Sequence, residues 1–184
     1  TTFKANNVKG LFVQGYADVP GDFSELRQYI LAKLLWDASI DVKATTADFL
    51  RGFYGKAASE IENYLKLLSE NQKKSKAYLD IYSGPVQNRT TYLTPEAMNQ
   101  YDKFLEKAWQ AVDEDKTIQK RVEKLRLALE YTYFEQAKFY GADAHGLFIT
   151  NSNGEKIIKE GLNERVQRFS QECKNDGIYE LGEG

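Results

Sequence analysis

Few side chains in this sequence have the chemistry of a catalyst. Its 184 residues hold one His and one Cys. His145 lies in the loop Gly141-Ala142-Asp143-Ala144-His145-Gly146, and an imidazole titrating near neutrality suits a general base. No Ser or Cys nucleophile pairs with it by spacing, so a structural place in the loop is its ordinary reading. Cys173 recurs on the apolar face of a predicted helix. A reactive thiolate needs an electropositive, partly open setting, whereas a Cys on such a face acts as a small hydrophobe. Asp and Glu number 27, so carboxylate pairs arise by chance. Asp113-Glu114-Asp115 reads as a solvated junction, and Glu60 and Glu62 cannot share a helix face. No two carboxylates stand out as the acid and nucleophile of a glycosidase.

Two further groups carry polar or stacking chemistry. Lys116, Lys120, Arg121, Lys124 and Arg126 load one predicted helix with positive charge, most simply as a solvated face. The sequence has 12 Tyr, 10 Phe and 2 Trp. Aromatic faces stack on sugar rings, and Tyr16, Trp36, Trp109 and Tyr92 are candidates, set against the usual role of aromatics in cores. Asn88-Arg89-Thr90 fits the N-glycosylation pattern, a three-residue match of low specificity.

Composition narrows the classes. Lys+Arg 25 against Asp+Glu 27 gives a net charge of -2, without the basic surplus of a nucleic-acid binder. No stretch approaches the roughly 18 apolar residues of a membrane span. The start, Thr1-Thr2-Phe3-Lys4-Ala5, lacks an initiator Met and the apolar core of a signal peptide, and reads as an excised piece or a processed product. One His and one Cys leave no disulfide framework, no Cys-rich zinc site and no two-His metal centre; no cofactor is expected. At 42% hydrophobic residues a core can be buried, but the chain is too short for a complete eight-stranded α/β barrel of about 250 residues.

The elements that would position these groups are mostly helical. Val8 to Gln14 is a short β-type run before the Pro20-Gly21 turn, and the convincing strand candidate. A lone strand cannot satisfy its own backbone, and no second run of its quality is found. A helix follows from Asp22 or Ser24 to Trp36, apolar nearly all round and so expected to be buried on more than one side. Asp41 or Thr45 caps a second helix ending near Gly52-Phe53-Tyr54-Gly55. A third starts near Lys56, turns polar after Ser69, recovers at Tyr78, Leu79 and Tyr82, and ends at Ser83-Gly84-Pro85. Thr94-Pro95-Glu96 starts a fourth, Thr117 to Tyr140 makes a fifth, and Ile158, Leu162, Val166, Phe169 and Cys173 mark a last. The expected fold is all-α: about six helices over residues 22–184 behind an extended N-terminal arm over residues 1–21.

Three stretches occur in a familiar succession: Val8-Lys9-Gly10-Leu11-Phe12-Val13-Gln14-Gly15, then Glu25 to Asp37 with the pattern RxYxLAKLLWD, then Asp48 to Ala58 with FYGKAA. The succession resembles the C-terminal part of the domain-of-unknown-function 4838 family, most firmly over residues 6 to 68. These are carbohydrate-active-looking proteins common in gut Bacteroidetes. The resemblance implies a (β/α)₈ barrel similar to glycoside hydrolases, and distantly to alpha-glucuronidases, followed by a helical region. It makes Val8 to Val13 the last strand of a truncated barrel and Asp22 to Trp36 the final barrel helix. Gln14 and Tyr16 then stand at the strand's C-terminal end, where barrel sites are built, as substrate-binding candidates. The acid and nucleophile would come from earlier strands, so no catalytic residue is expected in this chain.

The resemblance thus implies the non-catalytic C-terminal fragment of a glycosidase acting on polysaccharide, buttressing the upstream barrel of the same protein in a periplasmic or secreted setting. Oligo- or polysaccharide is the expected ligand; nucleic acid and a membrane span are not expected. The alternative is a stand-alone helical interaction or glycan-binding module. Exposure separates them: bare Leu11, Phe12, Val13, Leu31 and Leu35 would mark a severed barrel contact, whereas their burial by the chain's own helices would mark a self-contained domain.

Overall fold

The computed structural model describes residues 2–13, 21–78 and 83–181. After a single helical turn, α1 (Thr2–Ala5), residues 8–13 carry no regular secondary structure. Helix α2 spans Ser24–Trp36 and α3 spans Val42–Tyr54. Asp41 starts α3 by accepting from the Ala44 N–H at 3.0 Å, one of the orphan donors of a helix's first turn. One 3₁₀ turn, Gly55–Ala57, leads into α4, Ala58–Ser75. Helix α5, Pro95–Gln110, starts as expected, with Pro95 in its first turn and the Thr94 hydroxyl accepting from the Ala97 N–H at 3.2 Å. Helix α6, Lys116–Tyr140, is capped by Asp115, which accepts from the N–H groups of Thr117 and Ile118 at 3.1 and 3.0 Å. A two-stranded antiparallel hairpin, β1 (Phe148–Thr150) and β2 (Lys156–Ile158), precedes α7, Leu162–Asn175.

Helices α4, α5 and α6 pack side by side, α3 lies across α4 and α6, α2 lies on α3, and α7 lies on α6. The main core lies between them, with Leu50, Ile61, Tyr101, Leu105 and Val122 almost fully buried. Each such side chain contributes about 1.5–3 kcal/mol by leaving water. Tyr101 also ties polar groups together. Its hydroxyl accepts from Asn71 Nδ2 at 2.9 Å and donates to the Tyr92 carbonyl at 2.8 Å, joining α4 to the segment before α5. A second, smaller core holds α7 against α6 through Leu127, Phe169, Cys173 and Ile178.

The helical expectation holds in its main lines and is corrected in several places. The chain is mostly helical but not all-α, because the hairpin pairs Phe148 with Ile158 and Ile149 with Ile157. Asn151 closes its turn, its side-chain oxygen accepting from the N–H groups of Asn153 and Glu155 at 2.9 Å each. Ile158, expected on the last helix, is therefore in β2. Helix α4 stops at Ser75, well before Ser83, with Lys76 in the left-handed region at φ 53° and Tyr78 exposed. Residues 79–82, where the third helix was expected to recover, lie outside the described residues. Residues 8–13 form no strand: no described segment offers them a ladder partner, which a strand requires. The expected basic face is no solvated stripe either. Lys124 Nζ meets Glu25 Oε1 at 2.7 Å, Arg126 bridges Asp102 and Glu106 at 2.6 and 2.9 Å, and Arg121 donates to the Phe53 carbonyl at 2.7 Å. These cations fasten α6 to α2, α5 and α3.

Candidate functional site

The turn that delivers the chain into α2 is the least ordinary piece of backbone here. Phe23, immediately before the helix, has φ 51° and ψ 30°, a left-handed conformation that a bulky residue adopts rarely and at a cost of order 1–3 kcal/mol. Burial holds it there: Phe23 is buried and stacks on Tyr64 of α4, ring centroids 5.6 Å apart. With the Phe23 ring turned into the core, Gly21 and Asp22 face a cleft of about 360 Å³. A β-carbon at Gly21 would lie 2.7 Å from Arg27 Nη2, the mobile end of a long side chain that would have to move aside.

Tyr64, Tyr92 and Tyr101 line the same cleft, with Asn88 and Glu180. Burial raises the Asp22 carboxyl above the usual carboxylate range, against the opposing pull of Arg27. The carboxylate in turn acts on two phenols. Tyr64 and Tyr92 are both raised, first by burial and then by Asp22. Tyr101 is raised by burial and partly restored by the hydrogen bond from Asn71. The arrangement is two acidic residues, Asp22 and Glu180, in a partly apolar cleft. The rings of Tyr64 and Tyr101 are buried, packed on Phe23 and on each other, so the half-buried Tyr92 ring and the Asp22 carboxyl are the groups the cleft presents.

A second groove, of about 270 Å³, runs between α5, α6 and α7 and differs in kind. Trp109 Nε1 donates to Glu123 at 2.9 Å. Arg165 forks onto both oxygens of Glu130 at 2.8 and 2.9 Å and lies 3.8 Å from the Tyr133 ring centre. These paired charges, with the Arg126 bridges, serve to hold three helices together.

The residues singled out in the sequence scatter. Gln14 and Tyr16 lie outside the described residues. Trp36 is exposed at the end of α2, Trp109 lies in the charged groove, and Tyr92 alone among the described aromatic candidates lines the Asp22 cleft. His145 is exposed, packed near Tyr140 with ring centroids 5.6 Å apart. Cys173 is buried in the second core, where burial pushes its thiol up, so no His–Cys pair forms. Asn88 is buried with its amide donating to the Gly84 carbonyl at 3.3 Å, which removes it as an accessible glycosylation acceptor. Among the described residues no cluster of His, Cys, Asp or Glu could hold a metal ion, and no helix is long and apolar enough to cross a membrane. Sequence reasoning missed Asp22, which it took only as a helix start; the available signal was an acid directly after a Pro-Gly turn and before an aromatic.

Two exposed apolar runs, one on α2 and one in the arm, lie outside these two clefts. Helix α2 buries Leu26, while Leu31 and Leu35, half a turn round from it, are exposed, and Trp36 is 93% exposed. In the arm Phe12 is 89% exposed, with Leu11 and Val13 each about half exposed.

The quoted sequence pieces have packing reasons. In FYGKAA, Phe53 lies 4.2 Å beneath the Arg121 guanidinium, Tyr54, Ala57 and Ala58 are buried, and Gly55 takes φ 52° and ψ -124°. In RxYxLAKLLWD, Tyr29 packs on Phe49 at 5.2 Å and Asp37 accepts from the Ser39 N–H at 2.8 Å. The family model of a domain of unknown function (DUF4838) matches residues 1–66, the stretch that holds both pieces. No curated protein and no solved structure matches the chain.

Proposed function

We propose that this chain, whose residues 1–66 carry the DUF4838 sequence, is the helical C-terminal part of a glycoside hydrolase, non-catalytic by itself and packed against an upstream (β/α)₈ barrel. The observation that carries the reading is the bare apolar surface of the arm and of α2. A helix with Leu26 buried on one side and Leu31 and Leu35 exposed on the other is half covered. Contiguous apolar patches on otherwise solvated proteins mark contacts. In the proposed protein, Val8 to Val13 completes the barrel sheet and thereby gains the ladder partner it lacks among the described residues. Helix α2 is then the last barrel helix, covering that sheet with Leu31 and Leu35. The catalytic acid and nucleophile come from earlier strands. The wide aromatic and charged packing of α3 to α7 serves as a buttress.

A second reading, a stand-alone glycan-binding module, draws on the Asp22 cleft. Assay of the 184-residue chain and of the longer protein on aryl glycosides and aryl uronides separates these. Turnover by the longer protein alone is expected. Turnover by the 184-residue chain overturns the non-catalytic assignment, and an inactive longer protein overturns the hydrolase assignment.

A further inference from the structure

We propose that α7 and the segment behind it, residues 162–181, form a lid that swings off α6 about Gly161 while the main core stays folded, and that this lid governs entry to the cleft beside Asp22. The inference stands apart from the barrel reading, because it uses no residue of the exposed face of α2.

The lid has its own core. Helix α6 carries two apolar stripes. Val122, Leu125 and Leu129 face the main core. Leu127, roughly 200° round the helix from Leu125, instead meets Phe169, Cys173 and Ile178, with Tyr131 and Phe134 beside it. Among the described elements α7 packs substantially on α6 alone. The seam between them is flanked by open space. Phe169 lines the cleft of about 360 Å³, the charged groove of about 270 Å³ and a third groove of about 810 Å³ between α6, α7 and the hairpin. Side chains that border grooves make fewer dispersion contacts than enclosed ones. An element with few buried apolar contacts opens at a lower free energy than the core it rests on.

The joint suits the motion. The hairpin stays with the end of α6: the Phe148 N–H donates to the Gly141 carbonyl at 2.9 Å, and Lys159 Nζ to the Ala144 carbonyl at 2.8 Å. Gly146 lies so close to Gly141 that a β-carbon on it would strike the Gly141 carbonyl oxygen. Gly161 follows the hairpin at φ 74° with open space about it, a joint that glycine turns without steric cost. Arg165 is the latch, its fork onto Glu130 and its place over the Tyr133 ring joining α7 to α6. Charge works against closure. Burial raises the Glu172 and Asp176 carboxyls, and Glu123 of α6 adds to both, opposed by Arg168 and Lys124. Opening removes Phe169, Cys173 and Ile178 from the wall of the cleft and leaves Leu127 bare on α6.

Cys173, the one Cys of the sequence and buried under the lid, reports the opening. The test follows its reaction with a maleimide across low urea in the 184-residue chain, beside amide exchange and global unfolding by far-UV circular dichroism. We expect labelling at least about 100-fold faster than global unfolding allows, with a weaker urea dependence. Amides from Phe169 to Cys173 should exchange through the same opening, and those of Tyr101, Leu105 and Val122 only through global unfolding. Arg165→Met should speed Cys173 labelling at least about fivefold and leave the core amides unchanged. Leu105→Ala should lower the global midpoint and leave Cys173 labelling in low urea unchanged. Entry to the cleft is read at Leu127→Cys in a Cys173→Ala chain, which should label with the urea dependence of the lid. Leu125→Cys in the same chain should label only on global unfolding. Cys173 labelling at the rate and slope of global unfolding, equal effects of Arg165→Met and Leu105→Ala on it, or protection of Leu127→Cys to the global limit would each overturn the proposal. Amide exchange in the unaltered chain decides the question even where a variant fails to fold.

Discussion

Phe23 stacks on Tyr64 with an interplanar angle of 26°, and that contact ties the start of α2 to α4. The ring contact offsets a left-handed backbone at Phe23 (φ 51°). Replacing Phe23 with Ala leaves the strained turn without its anchor and opens a cavity beside Tyr64. A loss of about 3–5 kcal/mol in urea unfolding is expected, as for other buried Phe truncations. Loss of less than about 1 kcal/mol would mean that the turn is held by something other than this stack.

Gly55 joins α3 to the 3₁₀ turn at φ 52° and ψ -124°, a region open essentially to glycine. A β-carbon there would lie 2.8 Å from Ile118 Cδ1. Gly55→Ala should cost about 1–3 kcal/mol, measured by thermal unfolding. Gly52 is the control: it is in the α3 helix with open space where its β-carbon would go, so Gly52→Ala should be neutral or stabilising.

Glu25 and Lys124 tie α2 to α6 at 2.7 Å. Burial alone would raise Glu25, but hydrogen bonds from Lys124, from its own backbone and from Ser24 outweigh it and hold the carboxyl below its usual range. A depressed carboxylate pKa stabilises the fold above the unfolded value of 4.5 and loses that contribution as pH falls through the folded value. Lys124→Met should therefore lower stability at pH 7 by about 1 kcal/mol or less for this half-exposed pair. The difference from the parent should shrink as pH is lowered from 5 to 3. A difference that stays constant over that range would rule out the ion pair as its source.

Much of the helical frame was legible because its signals are local. The Asp41 and Thr94 caps, Pro95 at a helix start and the spacing of Met98, Tyr101 and Leu105 each act within a turn or two of backbone. The hairpin was not legible. Its strands have three residues each, too few to show alternation, and Ile158 matched the helical stripe that continues into α7. The basic face of α6 was misread for a related reason: Glu25, Asp102 and Glu106 are 99, 24 and 20 residues away from their partners, beyond any periodicity. The cleft is of the same kind. Asp22, Tyr64, Tyr92 and Tyr101 come from four places in the sequence, and no local spacing brings them together.

The docking of α2 is tested most directly by a thiol placed on its bare face. Leu35→Cys should be neutral to stability in the 184-residue chain, where Leu35 is 56% exposed, and should react rapidly with a maleimide. Cys173, buried and with its thiol pushed up by burial, provides a slow internal reference. In the longer protein carrying the proposed barrel, labelling at position 35 should slow at least tenfold relative to the 184-residue chain. Equal labelling rates in the two proteins would contradict the barrel contact and with it the assignment of this chain as a barrel-bound domain.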